Sequence, residues 1–150
     1  MLIEGQVFRL AKLGGGHFKQ GAKKPHPAFF KPSSDDEREA KEKGTSVRLT
    51  VWDCERTSIE QCRAIRKFNA AIETVAIALL VDSVNSIGIP EQSHSLRVVR
   101  DPLDDPAVAA MPGAKGHCGI EGLGKDTNLC SNERKVVRDK LVEKAFLLDE

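Results

Sequence analysis

The stretch AAIETVAIALLVDSVNSIGI, residues 70–89, decides which elements form the core of this chain. Six of its apolar residues repeat at helical spacing: Ile72, Val75, Ala76, Leu79, Leu80 and Val84. The unbroken apolar run 75–81, however, has the length of a central strand. Periodicity alone leaves residues 70–87 open to both interpretations. We favour the strand, followed by a helical turn at residues 82–86 that Asp82 caps.

Three further segments have the composition of strands. Residues 46–52, SVRLTVW, alternate apolar and polar side chains, which is the pattern of a half-buried strand. Residues 6–10 and 95–100 are shorter examples, each ended by glycine or proline. Residues 118–121 form a further short candidate inside a long glycine-rich loop.

Capping boxes predict where two helices begin. Ser34 with Glu37 precedes a charged segment that lacks an apolar stripe, and we interpret it as a solvated helical turn or a mobile loop. Thr57 with Glu60 begins a helix that has an apolar face and ends near Lys67.

The order of elements indicates an α+β fold. A C-terminal helix, capped by Ser131 or Asn132, carries a broad apolar face. We predict a small mixed or mostly antiparallel sheet of about four to five strands, with two main helices packed on one face. At 150 residues the chain fits one domain, 1–150, with long loops at 13–33 and 101–130.

Composition is that of an ordinary globular protein. A net charge of +1 provides no overall attraction to nucleic acid or to anionic membranes. We find no signal peptide and no run of 18 apolar residues, so we expect a cytoplasmic protein without a membrane partner. The cysteines at 54, 62, 118 and 130 form no CxxC pair, and we expect free thiols and no cofactor.

The segment 17–31, HFKQGAKKPHPAFFK, is basic and aromatic. Its candidate binding residues are Lys23, Lys24, His26, Phe29 and Phe30. These residues would bind single-stranded nucleic acid if the lysines contacted its phosphates and the aromatic rings stacked on its bases. The favoured alternative is that the phenylalanines anchor the loop to the core, and a partner protein with an acidic surface fits the same lysines.

The segment 100–125 concentrates acids, glycines and the pair His117 and Cys118. Neighbouring residues on a strand point to opposite faces, so we expect one of this pair to be buried and the other exposed. The run 119–126, GIEGLGKD, differs from the phosphate-binding pattern G-x-x-x-x-G-K-[ST] because Asp126 replaces the hydroxyl residue. A turn-forming loop is therefore the favoured interpretation.

Our leading hypothesis is a non-enzymatic binding or adaptor module that uses both loops, with Arg100 and His117, to recognise another protein. The first alternative is a metal-dependent hydrolase. Its catalytic residues would be His117, Asp101 and Asp104, and its metal ligands would be His94, Asp101, Asp105 and His117. The second is a single-stranded nucleic-acid-binding protein. A homodimer through an edge strand at residues 6–10 is also open.

Overall fold

The computed structural model describes residues 4–148. Residues 1–3 and 149–150, which we assigned to the same domain, lie outside the described residues. The strands are β1 (Gln6–Lys12), β2 (Arg48–Asp53), β3 (Thr74–Leu80), β4 (Gly88–Ile89), β5 (His94–Ser95), β6 (Arg97–Arg100), β7 (His117–Glu121) and β8 (Phe146–Leu147). The α-helices are α1 (Ser34–Lys43), α2 (Ile59–Ile65), α3 (Val81–Asn85), α4 (Pro106–Ala109) and α5 (Ser131–Lys144).

Six strands form one antiparallel sheet in the order β6-β7-β2-β1-β3-β8, and β4 pairs with β5 in a separate hairpin. The α+β class is confirmed, and the sheet is larger than the four to five strands we predicted. Because β1 lies between β2 and β3, residues 6–10 are not at an edge. These residues are therefore not free to pair with a second copy of the chain, as we had considered.

Both faces of the sheet are covered. On one face, Val7, Val51 and Ile77 pack against Val137 and Leu141 of α5. The other face packs against α2 and the 101–116 segment; its buried cluster contains Phe8, Leu10, Trp52, Cys62 and Ile65. The main helices α2 and α5 therefore cover opposite faces rather than the single face we predicted. The reason is that β1 carries large apolar residues at consecutive positions, which makes both of its faces apolar.

The stretch 70–89 resolves as the favoured strand followed by a short helix. However, α3 begins at Val81 after Leu80, so Asp82 lies in its first turn and does not cap it. The N-terminal caps of the longer helices also differ from the predicted positions by one or two residues. They are Ser33 with Asp36, Ser58 with Gln61, and Cys130 with Glu133. The helix α2 ends at Ile65, not near Lys67.

The charged segment after Ser33 is a regular ten-residue helix, α1, in which Ala40 alone is buried. Acids in its first turn and lysines in its last complement the helix dipole. Gly44 then ends it with a left-handed backbone, at φ 67°.

The two long loops contain structure of their own. Residues Pro27–Phe30 form a 3-10 turn inside the first loop. The second contains α4, a 3-10 turn at Ala114–Gly116 and β7, which lies between β6 and β2 in the sheet. The short strand that we expected inside this loop is thus an interior strand of the sheet.

Arg9 fills a gap between two neighbouring strands. Residue pairing between β1 and β2 covers Val7 and Phe8 only. Beyond it, the Arg9 guanidinium donates from Nη1 to the Thr50 carbonyl (3.0 Å) and from Nε to the Phe29 carbonyl (3.3 Å). Burial lowers the pKa of Arg9 to about 10, so it stays cationic at neutral pH.

Candidate functional site

His117, the centre of the hydrolase hypothesis, lies at a cleft of about 240 Å³ between α1 and the segment after β6. Its Nδ1 donates to the Asp101 backbone carbonyl and lies 3.6 Å from the Asp101 carboxylate. The other ring nitrogen, Nε2, lies 3.4 Å from Thr50 Oγ1. The ring also packs edge-to-face on Trp52, at 4.9 Å between centroids. These contacts hold the imidazole in one orientation.

A chain of ion pairs fixes Asp101. Arg48 Nη1 contacts the Asp101 carboxylate at 2.9 Å, and Arg48 Nε contacts Glu121 at 3.0 Å. Arg97 adds a second contact to Glu121 at 3.1 Å. The cations at this cleft are therefore already paired, which leaves little positive charge for a ligand.

Of the other predicted ligands, Asp104 and Asp105 line a cleft of about 240 Å³ together with Asp101 and His117, whereas His94 does not. Asp104 pairs with Lys43 at 2.6 Å, and Asp105 caps α4 by accepting from the Ala107 amide. His94 Nε2 contacts the Gly122 carbonyl at 2.8 Å. Across residues 4–148, no three His, Cys, Asp or Glu side chains converge as a metal site. The structure thus brings Asp101 to His117 but does not assemble the predicted ligand set.

His117 and Cys118 do point to opposite faces of β7, but both are buried, because each face of the sheet is covered. The expectation that one of them is exposed is wrong. Burial raises the pKa of the Cys118 thiol to about 11, against the opposing effect of the nearby Arg100 cation. Arg100 itself pairs with the buried Asp53 at 2.8 Å.

The basic aromatic loop is anchored by its rings. Phe29 and Phe30 are completely buried, so their faces are not accessible to a nucleic-acid base. His26 caps the 3-10 turn by accepting from the Ala28 amide. Lys24 Nζ donates to the carbonyls of Glu143 and Ala145 at the end of α5, while Lys23 is exposed. Of the five residues named in this loop, Lys23 alone has no such structural contact among those described.

A second cleft, of about 340 Å³, lies where the ends of the two long loops meet the start of α5. We call it the basic cleft. Its charged lining residues are Lys31, Lys125, Arg134, Arg138 and Glu37. Lys31 ends the first loop and Lys125 lies in the second. Four cations from three separate segments therefore face one carboxylate.

Within the part of the chain that the structure describes, these four cations have no acidic partners. None of them takes part in the ion pairs found among residues 4–148. Arg134 donates to the Leu129 carbonyl (2.7 Å), and Arg138 has a buried Nε without a hydrogen-bond partner in the described chain. Burial, and then the neighbouring Arg134 cation, lowers the pKa of Arg138, against the opposing effect of the Asp139 carboxylate. The cleft is thus a concave region with an excess of positive charge, which favours anions.

The single carboxylate, Glu37, belongs to the first turns of α1. Its Oε1 accepts a hydrogen bond from the Lys125 backbone amide at 3.2 Å. The nearby Asp126 carboxylate is turned away and accepts from the Val47 amide at 3.1 Å. Glu37 is therefore the negative group that occupies the cleft in the free protein.

We predicted the two loops from the sequence but not the cleft at their ends. Arg134 and Arg138 are four residues apart and thus on one face of a helix, and this spacing was the available signal. We considered only the apolar residues of this helix when we predicted it. The positions of Lys31 and Lys125 depend on long-range packing, which local patterns do not contain.

Comparison with known proteins gives no match: no family model, no curated protein sequence and no solved structure is similar to this chain. No helix within residues 4–148 has the length and apolar composition needed to cross a membrane.

Proposed function

We propose that this protein is a non-enzymatic binding module that holds an acidic segment of a partner protein in the basic cleft. The observation that carries the proposal is the set of four cations that line one cleft and have no ion-pair partner among residues 4–148: Lys31, Lys125, Arg134 and Arg138. Clusters of arginine and lysine of this kind recognise acidic and phosphorylated motifs in other proteins. As in our sequence-based hypothesis, the two loops contribute to the recognition surface, and α5 now contributes to it as well.

A protein partner is favoured over single-stranded nucleic acid. Sequence-tolerant binding of single strands combines a basic groove with accessible aromatic rings on which bases stack. The cleft has no aromatic lining residue, and Phe18, Phe29 and Phe30 are buried. The net charge of +1 also gives no sign of the broad basic surface with which proteins bind the sugar-phosphate backbone of nucleic acids.

The test is a fluorescence anisotropy titration of the intact protein with fluorescein-labelled hexaglutamate at low salt. The cleft variant is the double substitution Arg134→Gln and Arg138→Gln. Its matched control is Lys135→Gln and Lys140→Gln, two exposed positions on the same helix with the same change in net charge. We expect the cleft variant to lose at least about tenfold in affinity, and the control less than about twofold.

Because Arg138 is half-buried, a second pair, Lys31→Gln and Lys125→Gln, is tested as well; both lysines are exposed. Equal losses in the cleft and control variants would show nonspecific charge attraction and contradict the proposal. Tighter binding of oligothymidylate than of hexaglutamate, lost in the cleft variants, would instead assign the cleft to nucleic acid.

We also propose a reducing compartment such as the cytoplasm. Cys54, Cys62, Cys118 and Cys130 are all unpaired thiols. Free thiols persist where glutathione and thioredoxin keep them reduced.

A further inference from the structure

We infer that the group recognised by the basic cleft is a phosphate monoester on a serine or threonine side chain of the partner. This inference rests on the proposed function and adds the chemistry of the recognised group. Its support comes from the charge of the cleft, from the arginine side chains that line it, and from the packing that positions its rim.

The charge of the cleft exceeds what one carboxylate can neutralise. Four cations face a single acid, Glu37. A phosphorylated side chain carries a charge of about −1.5 to −2 and three strong acceptor oxygens, whereas a glutamate carries one charge and two oxygens. A phosphate therefore balances more of this positive field at one point.

The two arginines provide donors suited to such a group. Arg134 and Arg138 are one helical turn apart on α5, so their guanidinium groups can approach the same ligand. The planar guanidinium fork binds phosphate oxygens in pairs, which an ammonium group cannot do. Arg138 also lines the cleft, and its buried Nε has no hydrogen-bond partner in the described chain, so this guanidinium is not committed to another acceptor through Nε.

Close packing fixes the position of the glycine-rich segment at the rim of the cleft. A Cβ at Gly124 would lie 2.6 Å from Val47 Cβ, so only glycine allows this approach of the loop to the residue before β2. The Asp126 carboxylate fixes the following turn through the Val47 amide. Lys125 is thereby positioned with its backbone amide toward Glu37. A phosphate oxygen can take the place of that carboxylate and accept from the same amide.

The size of the cleft suits a compact ligand group. Its volume of about 340 Å³ lies at the lower end of the range for small-molecule sites. A phosphorylated side chain can enter it while the rest of the peptide lies outside.

The experiment uses three degenerate nonapeptide libraries that differ only in the central residue, which is phosphoserine, glutamate or serine. Each fluorescein-labelled library is titrated against the intact protein, the two cleft double variants and the Lys135→Gln, Lys140→Gln control. Inorganic phosphate is titrated separately as a competitor. We expect the phosphoserine library to bind at least about tenfold more tightly than the glutamate library, and this preference to disappear in both cleft variants but not in the control.

The outcomes separate this inference from the proposed function. Equal binding of the phosphoserine and glutamate libraries would overturn the phosphate assignment and leave the acidic-segment function in place. Failure of the phosphoserine and glutamate libraries to bind would contradict both. A phosphoserine preference that survives in the cleft variants would place the site elsewhere, and tighter binding of inorganic phosphate than of any peptide would assign the cleft to the free ion.

Discussion

The Glu37 carboxylate accepts a hydrogen bond from the Lys125 backbone amide, with 3.2 Å between Oε1 and N. This contact links α1 to the glycine-rich segment across the basic cleft. It also places one negative charge among four cations, at the point where an incoming anion would be held. In the proposed function, Glu37 therefore competes with an acidic ligand for the same amide and the same positive field.

Replacing Glu37 with glutamine should strengthen anion binding. The substitution keeps the side-chain length and an oxygen acceptor for the Lys125 amide but removes the negative charge. An exposed charge pair is worth at most about 1 kcal/mol, so removing this repulsion should raise the affinity for hexaglutamate by up to about fivefold. The titration is compared with Glu42→Gln, an exposed position on α1 outside the cleft. An unchanged or weaker affinity for Glu37→Gln would argue against competition at this amide.

Replacing Arg9 with methionine should destabilise the fold. Methionine fills much of the space of the arginine stem but leaves the Thr50 and Phe29 carbonyls without the donor that bridges β1 and β2. Two orphaned carbonyls cost about 1–3 kcal/mol each, and relief of the buried charge offsets part of this. We expect a net loss of about 2 kcal/mol in the free energy of unfolding, measured with urea.

Lys12→Met is the control for Arg9, since Lys12 is an exposed residue on the same strand. Its effect should stay below about 0.5 kcal/mol. If both variants unfold at the same urea concentration, Arg9 does not replace the missing strand pairing.

Replacing Arg48 with methionine should destabilise the protein more than the same change at Arg97. Arg48 contacts Asp101 and Glu121, whose side chains are only 19% and 13% exposed. Removing one partner of partly buried charges costs about 2–3 kcal/mol. Arg97 is 71% exposed and should contribute at most about 1 kcal/mol. Similar losses in thermal or urea unfolding would show that the Asp101–Arg48–Glu121 chain is not a structural unit.

The thiols should differ in reactivity. Burial raises the pKa of Cys62 to about 12 and the pKa of Cys118 to about 11, so few thiolates form at these positions near pH 8. Cys130 is exposed and should react first with iodoacetamide. Labelling of Cys62 and Cys118 should therefore stay far slower than labelling of Cys130 from pH 7 to pH 9, since both thiols are fully buried and both pH values lie below their pKa.

Peptide mapping of the labelled sites by mass spectrometry checks this order, and labelling in urea provides the control in which all four thiols react. Rapid native labelling of Cys62 or Cys118 would contradict their burial.

Local sequence patterns predicted those strands whose own residues show a clear apolar pattern. The alternation in 46–52 corresponds to β2, and the apolar run 75–81 to β3. The importance of β7 was not predictable in the same way, because its partners in the sheet, β2 and β6, lie far away in the sequence. The burial of both His117 and Cys118 follows from those partners and not from their own alternation.

The caps are shifted at places where the sequence offers two overlapping capping patterns. Ser33 with Asp36 and Ser34 with Glu37 both satisfy the capping pattern, and the same duplication occurs at Thr57 and Ser58. Packing decides between them. Thr57, for example, is buried and donates from Oγ1 to the Gly113 carbonyl, so Ser58 is left to cap α2.

The most direct test of the basic cleft is a ¹H–¹⁵N NMR titration of the intact protein with unlabelled hexaglutamate. The account predicts that the largest shifts occur at the Lys125 backbone amide and at the Arg134 and Arg138 Nε–H signals, with Lys135 and Lys140 little affected. Shifts spread evenly over exposed lysines, or centred on Lys23 or His117, would contradict the assignment of the recognition site to this cleft.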